Sequence, residues 1–127
     1  MIAAALVTPG SAAALDAPER RAVHLVNETR EARDRRPLKL AGGLSRTAER
    51  HARRMARRHR LSHPDVSSKR WDALGYIVGT GATIRAVHRA FMRSRVHRRV
   101  ILGRWNVIGA GVVRHGGVFW VVEIFAR

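Results

Sequence analysis

The chain has 127 residues and no cysteine, which bounds it to a single domain with a real core and excludes disulfides and thiolate metal sites. Its formal net charge is +16, and all but two of its 25 basic residues are Arg. That balance favours anionic partners such as nucleic acid, anionic lipid or an acidic wall polymer. An arginine bias from GC-rich coding gives the same composition, so charge alone names no partner.

Residues 1–18 differ from the rest. Ile2 to Val7 is apolar, Thr8-Pro9-Gly10-Ser11 interrupts it, and Ala12-Ala13-Ala14 offers small residues for cleavage. Residues 1–14 therefore read as a signal peptide cut after Ala14, with residues 15–127 as the single mature domain, secreted or held in the cell envelope. No Lys or Arg precedes the short apolar run, so the leader's true start stays open and a disordered Ala-rich tail is the alternative. Nothing approaches the roughly 20 apolar residues that span a bilayer.

Asp16-Ala17-Pro18-Glu19 is a helix start, with a capping acid, a proline in the first turn and an acid on the positive end of the dipole. Val23 and Val26 give the helix an inward stripe to about Arg33. Asn27 and Arg30 sit one turn apart and, on pattern alone, read as an exposed pair. Asp34 to Gly43 is a connector broken by Pro37 and Gly42-Gly43. The next helix runs from about Leu44 to His59. Leu44, Ala48, Ala52, Met55 and His59 share one side, while Arg46, Arg50, Arg53, Arg54, Arg57 and Arg58 share the other. The arginine side reads either as an anion-binding surface or as a plain solvated face.

Leu61-Ser62-His63 follows that helix, and Pro64 turns His63 away from helical geometry. Ser67 to Leu74 reads as a short helix and Gly75 to Gly81 as an extended segment. The glycine spacing fits neither the dinucleotide fingerprint nor the P-loop. Thr83 to Met92 is helical, with Ile84, Val87, His88, Phe91 and Met92 on one side and Arg85, Arg89 and Arg93 on the other. His88 lies within the apolar stripe and reads as a packed core histidine. His97 falls just beyond this helix, directly before a hairpin. The hairpin's strands are Asn106 to Val113 and Val118 to Phe125, joined by His115-Gly116-Gly117. The last strand is apolar on both faces, which predicts helices on both sides of the sheet. The fold class is α+β: an α-β-α sandwich with a small, mainly antiparallel sheet between helices.

Asn27-x-x-Arg30, Pro37-Leu38, Ala48/Ala52/Met55 and Leu61-Ser62-His63 are followed in order by Phe91-Met92-x-Ser94-x-x-His97-Arg98-x-x-Ile101-Leu102 and Ile108-Gly109-Ala110-Gly111. In order and spacing these residues resemble the bacterial branch of the CAP superfamily (cysteine-rich secretory proteins, antigen 5, pathogenesis-related 1 proteins). The resemblance covers roughly residues 20–127 and implies the same α-β-α sandwich. It implies that Asn27 and Arg30 clamp nearby backbone, and that His63 and His97 face a cleft which in the family also holds one or two glutamates. The family's Gly-Glu-Asn segment matches Gly75-Tyr76-Ile77, so Tyr76 stands where the acid would be. Ser94 stands where some members carry a second acid.

A tyrosine is neutral near pH 7 and offers mainly a hydrogen bond, whereas a carboxylate supplies charge and a metal bond. Zinc takes four ligands, or three and a water. A site of His63 and His97 in so basic a chain is therefore expected to hold a divalent cation such as zinc weakly, unless Glu123, Asp65 or Asp72 replaces the acid. No cofactor is required. Ser94 and His97 as nucleophile and base lack a visible orienting acid or oxyanion hole. His59-x-x-x-His63 has helical ligand spacing but no acid of the His-Glu-x-x-His kind.

Three functions follow in order. The first is a secreted, non-catalytic binding domain with a cleft at His63, Tyr76, Ser94 and His97; the resemblance adds sterols or other lipids as ligands. The second is an electrostatic module for envelope polyanions or anionic lipid, built on Arg46 to Arg58 with Arg98 and Arg99. Nucleic acid is disfavoured because the aromatic residues lie in apolar stripes and cannot stack bases. The third is a metal-dependent hydrolase.

Overall fold

The computed structural model describes residues 17–67 and 69–127, so the leader reading and the Asp16 cap lie outside the described residues. The elements run α1 (Ala17–Glu31), β1 (Lys39–Leu40), α2 (Gly42–Arg58), β2 (Leu74–Gly81), α3 (Ile84–Arg93), α4 (Arg95–Ile101), β3 (Val107–His115) and β4 (Val118–Ala126). The strands form one sheet in the order β1-β3-β4-β2. β2, β3 and β4 pair antiparallel, and β1 adds a short parallel edge to β3. The α+β class and the mainly antiparallel sheet between helices are both present.

The apolar periodicity sets the layers. Val23, Val26, Val87, Phe91 and Ile101 pack with Ile77, Ile108, Val121 and Phe125 on one face of the sheet, beneath α1, α3 and α4. Leu44, Ala48, Ala52 and Met55 of α2 pack with Trp120, Val122 and Ile124 on the other. β4 is thus covered on both sides, as its unbroken apolar run requires. The small residues on α2 meet glycines on β3: a Cβ at Gly109 would run into the backbone of Leu44, and one at Gly111 into that of Ala48. The helix lies so close that the Ser45 hydroxyl accepts the backbone N–H of Ala110 at 3.1 Å.

The hairpin turns at Gly116 (φ 61°) and Gly117 (φ 78°), the two left-handed positions of a tight two-residue turn.

Four expectations are corrected. Ser67 to Leu74 is not helical where described: Lys69 and Arg70 form a turn, and Leu74 already pairs with Ala126. Pairing with β4 wins over the local pattern. Lys39-Leu40, inside the expected connector, is a strand because its backbone completes the edge of β3. Gly42-Gly43 opens α2 instead of breaking the chain before it. His97 does follow α3, but it lies within a second short helix, α4, that the sequence reading did not expect.

Candidate functional site

β2 is the outer strand on its side of the sheet. Its alternation sends Gly75, Ile77 and Gly79 toward α3 and α4, where Gly79 abuts the Phe91 ring. Leu74, Tyr76 and Val78 go toward α2. The sequence-predicted site residues gather along this edge as two pairs. On the α2 side, the His63 ring lies 5.3 Å from that of Tyr76, tilted by 58°. On the other side, His97 stacks on Phe91 at 5.2 Å, and its Nδ1 shares a 2.7 Å hydrogen bond with Ser94 Oγ.

Local structure explains each pair. α2 ends at His59, whose left-handed φ of 50° returns backbone N–H groups to Met55 and Ala56. The chain then leaves toward the sheet edge, and His51 Nε2 holds the carbonyl of Ser62 at 2.7 Å, directly before His63. Ser94 separates α3 from α4 in extended conformation, and its hydroxyl is not spent on capping α4. That leaves Oγ for the histidine three residues on.

No carboxylate completes the set. Among the described residues neither His63 nor His97 is hydrogen-bonded or ion-paired to an acid, and no three or more His, Asp or Glu side chains gather where a metal could sit. The three candidate replacements are placed elsewhere. Asp65 lines the groove along α2 beside Arg50, and Asp72 is an exposed residue just ahead of β2. Glu123 points into the core beneath α1 and α3, between Ile77 and Ala110 on the neighbouring strands. Burial pushes its carboxyl up to about 8, so it is mostly neutral at pH 7. His63 and His97 would supply two zinc ligands against the three or four a zinc site takes, and a neutral phenol and hydroxyl are poor replacements for the missing acid. The Ser94–His97 bond has dyad distance, but among the described residues no acid is bonded to either.

The Asn27/Arg30 pair is not exposed. Asn27 brackets Leu38, donating to its carbonyl at 3.0 Å and accepting its N–H at 2.8 Å. Arg30 is 2% exposed and donates to the carbonyls of Arg36, Ile101 and Gly103, each at 2.8 Å. This is the backbone clamp that the resemblance implies. It ties α1 to the connector and to the end of α4, behind the Ser94–His97 pair.

The arginine face of α2 stands in solvent: Arg46, Arg50, Arg53, Arg54, Arg57 and Arg58 are all exposed. Arg53 pairs with Glu49 at 2.7 Å, and Arg50 donates to Thr47. Arg98, expected to extend that surface, is half-buried and donates to the Met92 carbonyl. Sequence reading missed a groove of about 450 Å³ between α1 and α3, because its walls come from two helices far apart in the chain.

The chain thus presents an α-β-α sandwich around a small, mainly antiparallel sheet. Residues 23–125 match the profile of the cysteine-rich secretory protein (CAP) family, and the chain belongs to that family although it has no cysteine of its own. No curated protein sequence matches it significantly. Among solved structures it resembles an outer surface protein from Borrelia burgdorferi (TM-score 0.78, 14% identity, 87% of this chain and 92% of that one). It also resembles an extracellular protein containing an SCP domain from Bacillus anthracis (TM-score 0.73, 17% identity), covering 85% of this chain and 39% of that one. A cysteine-rich secretory protein from Staphylococcus aureus matches at TM-score 0.64 and 18% identity, over 84% of this chain and 37% of that one. At these identities the likeness is one of fold. In the described residues no helix is long and apolar enough to cross a membrane.

Proposed function

We propose that this chain is an extracellular or envelope CAP domain that binds a ligand without covalent chemistry at the free edge of β2, using His63, Tyr76, Ser94 and His97. The observation that carries the reading is the His63–Tyr76 ring pair, where an acid would be needed for metal chemistry. A neutral aromatic and an imidazole offer stacking and hydrogen bonding to a sterol or another lipid. Residues 1–14 would be the leader removed on export, in keeping with relatives named as extracellular or outer-surface proteins.

Zinc calorimetry on the chain, beside the His63→Ala/His97→Ala variant, tests the absence of metal chemistry. The expected result is no stoichiometric uptake at micromolar zinc. Stoichiometric binding that the variant loses would overturn the reading and return a metal-dependent hydrolase to consideration. In a parallel NMR titration with a soluble sterol ester, shifts should concentrate on His63, Tyr76 and His97.

A second reading is favoured by the exposed arginine face of α2, where Glu49 is the one acidic residue of the helix. That face would hold an envelope polyanion or anionic lipid, with binding that weakens steeply as salt rises. Replacing Arg50, Arg54 and Arg57 by Glu should abolish retention on a polyanion column while the circular dichroism spectrum stays unchanged.

A further inference from the structure

A recess lies where the chain leaves α1 and where it passes from α4 to β3, apart from both the β2 edge and the arginine face of α2. Its volume is about 340 Å³, and Arg30, Arg35, Arg36 and Arg104 line it together with Asn106. Asp34 is its one acidic side chain, and Asp34 has no ion pair with a described residue. Arg127 lies on its wall as well, and even without it four guanidinium groups outnumber one carboxylate.

Arg30 distinguishes this recess from a plain basic surface. Its guanidinium is held between two of the walls. Nε donates to the carbonyl of Arg36 and Nη1 to that of Gly103, and Arg36 and Gly103 both line the recess. A third bond runs from Nη1 to Ile101. Arg30 is 2% exposed, yet its Nη2, with two N–H donors, has no hydrogen bond to a described residue. No carboxylate of a described residue pairs with this buried cation. Carbonyl dipoles offset part of the cost of burying a charge, but they supply no counter-charge. Burial, and then the charge of Arg35, hold the pKa of Arg30 below the usual arginine value, so a second cation acts directly on the first. A guanidinium does not escape this repulsion by losing its proton, and an anion relieves it.

We infer that this recess binds a phosphate group, with Nη2 of Arg30 and the guanidinium groups of Arg35, Arg36 and Arg104 as its donors. The charge count selects the group. Four guanidinium groups against the carboxylate of Asp34 leave a surplus that a single carboxylate ligand does not neutralise. A phosphate monoester brings close to two negative charges near pH 7 and three acceptor oxygens. Guanidinium forks match phosphate oxygens two at a time. The phosphate can be the free inorganic ion or the monoester of a small sugar. In the second case the Asn106 amide, which makes no hydrogen bond to a described residue, is at hand for a hydroxyl.

The test is calorimetry of the chain with inorganic phosphate, glucose 6-phosphate and acetate at constant physiological ionic strength. Two variants of equal charge change are compared, Arg35→Ala/Arg104→Ala at the recess and Arg54→Ala/Arg57→Ala on α2. Arg30 stays in place in both, because its bonds hold the fold. At least one of the two phosphates should bind, and more tightly than acetate. The recess variant should weaken that binding about tenfold or more, and the α2 variant less than about twofold. In NMR spectra the Arg30 Nε–H resonance, protected by its bond to Arg36, should shift on addition of the phosphate that binds. Tighter binding of inorganic phosphate identifies the free ion as ligand, and tighter binding of glucose 6-phosphate identifies a sugar phosphate. Equal losses in both variants, acetate binding as tightly as phosphate, an Arg30 signal that does not move, or no binding of either phosphate would each overturn the inference. None of these results bears on the β2 edge, whose residues are not altered.

Discussion

Glu123 stands in the middle of β4 with 2% of its surface exposed and one carboxyl oxygen buried without a hydrogen-bond partner. Its neighbours are apolar, so the charged form is disfavoured and the carboxyl is raised from 4.5 to about 8. The sign follows from proton counting. Between those two values the folded chain binds more protons than the unfolded one, so stability falls as pH rises. It is fully present below about pH 4.5 and lost by about pH 8. The loss should be on the order of 4 kcal/mol. Urea unfolding at pH 5 and pH 8.5 measures it, and Glu123→Gln should flatten the difference. An unchanged slope in that variant would place the dependence on another group. Arg30 is the opposite case: burial and the nearby Arg35 charge lower its pKa, yet three carbonyls take its donors. Arg30→Ala strands those carbonyls and should cost about 3 kcal/mol or more, read from the shift of the denaturant midpoint.

At the scale of elements, the contact of α2 with β3 decides the thickness of the second layer. Ala48 and Ala52 are fully buried, and Gly109 and Gly111 leave no side chain between helix and strand. Gly111→Val must push α2 away or bend β3, because the clash is with backbone and cannot be relieved by a rotamer. The variant is expected to lose its cooperative thermal transition, whereas Gly117→Asn, at a left-handed turn position with open space around it, should fold with little change. The same displacement of α2 would carry off the segment that seats His63, so any ligand binding at the β2 edge should fail together with the fold in Gly111→Val.

For the whole molecule, charge is the dominant property. A formal +16 on 127 residues makes the surface repel itself, and the exposed α2 face concentrates that repulsion. Added salt should therefore raise the midpoint of thermal unfolding at neutral pH while weakening retention on a polyanion. A midpoint that is flat in salt would show that the arginines are already neutralised within the fold. The chain has no covalent staple, so its stability rests on noncovalent contacts, chiefly the two apolar layers, with hydrogen bonds such as those of Asn27 and Arg30.

Apolar periodicity and capping signals by themselves placed helices at about 16–33, 44–59 and 83–92, within two residues of those observed, together with the hairpin and the double-sided burial of β4, because each is a local pattern. The candidate residues His63, Tyr76, Ser94 and His97 were picked out by family spacing, although Tyr76 lies inside β2 and His97 inside α4. The tertiary structure alone decided what pairing and burial over long sequence separations impose. Lys39-Leu40 became a strand only because β3 offers it an edge. The segment before Leu74 lost its expected helix to pairing with Ala126 and Arg127. Glu123 turned inward because the register of β4 places it opposite Ile77 and Ala110, and not because anything in its own neighbourhood favours a buried acid. The α1–α3 groove has the same origin: Thr29 and His88 are 59 residues apart, and only packing brings them to 2.8 Å.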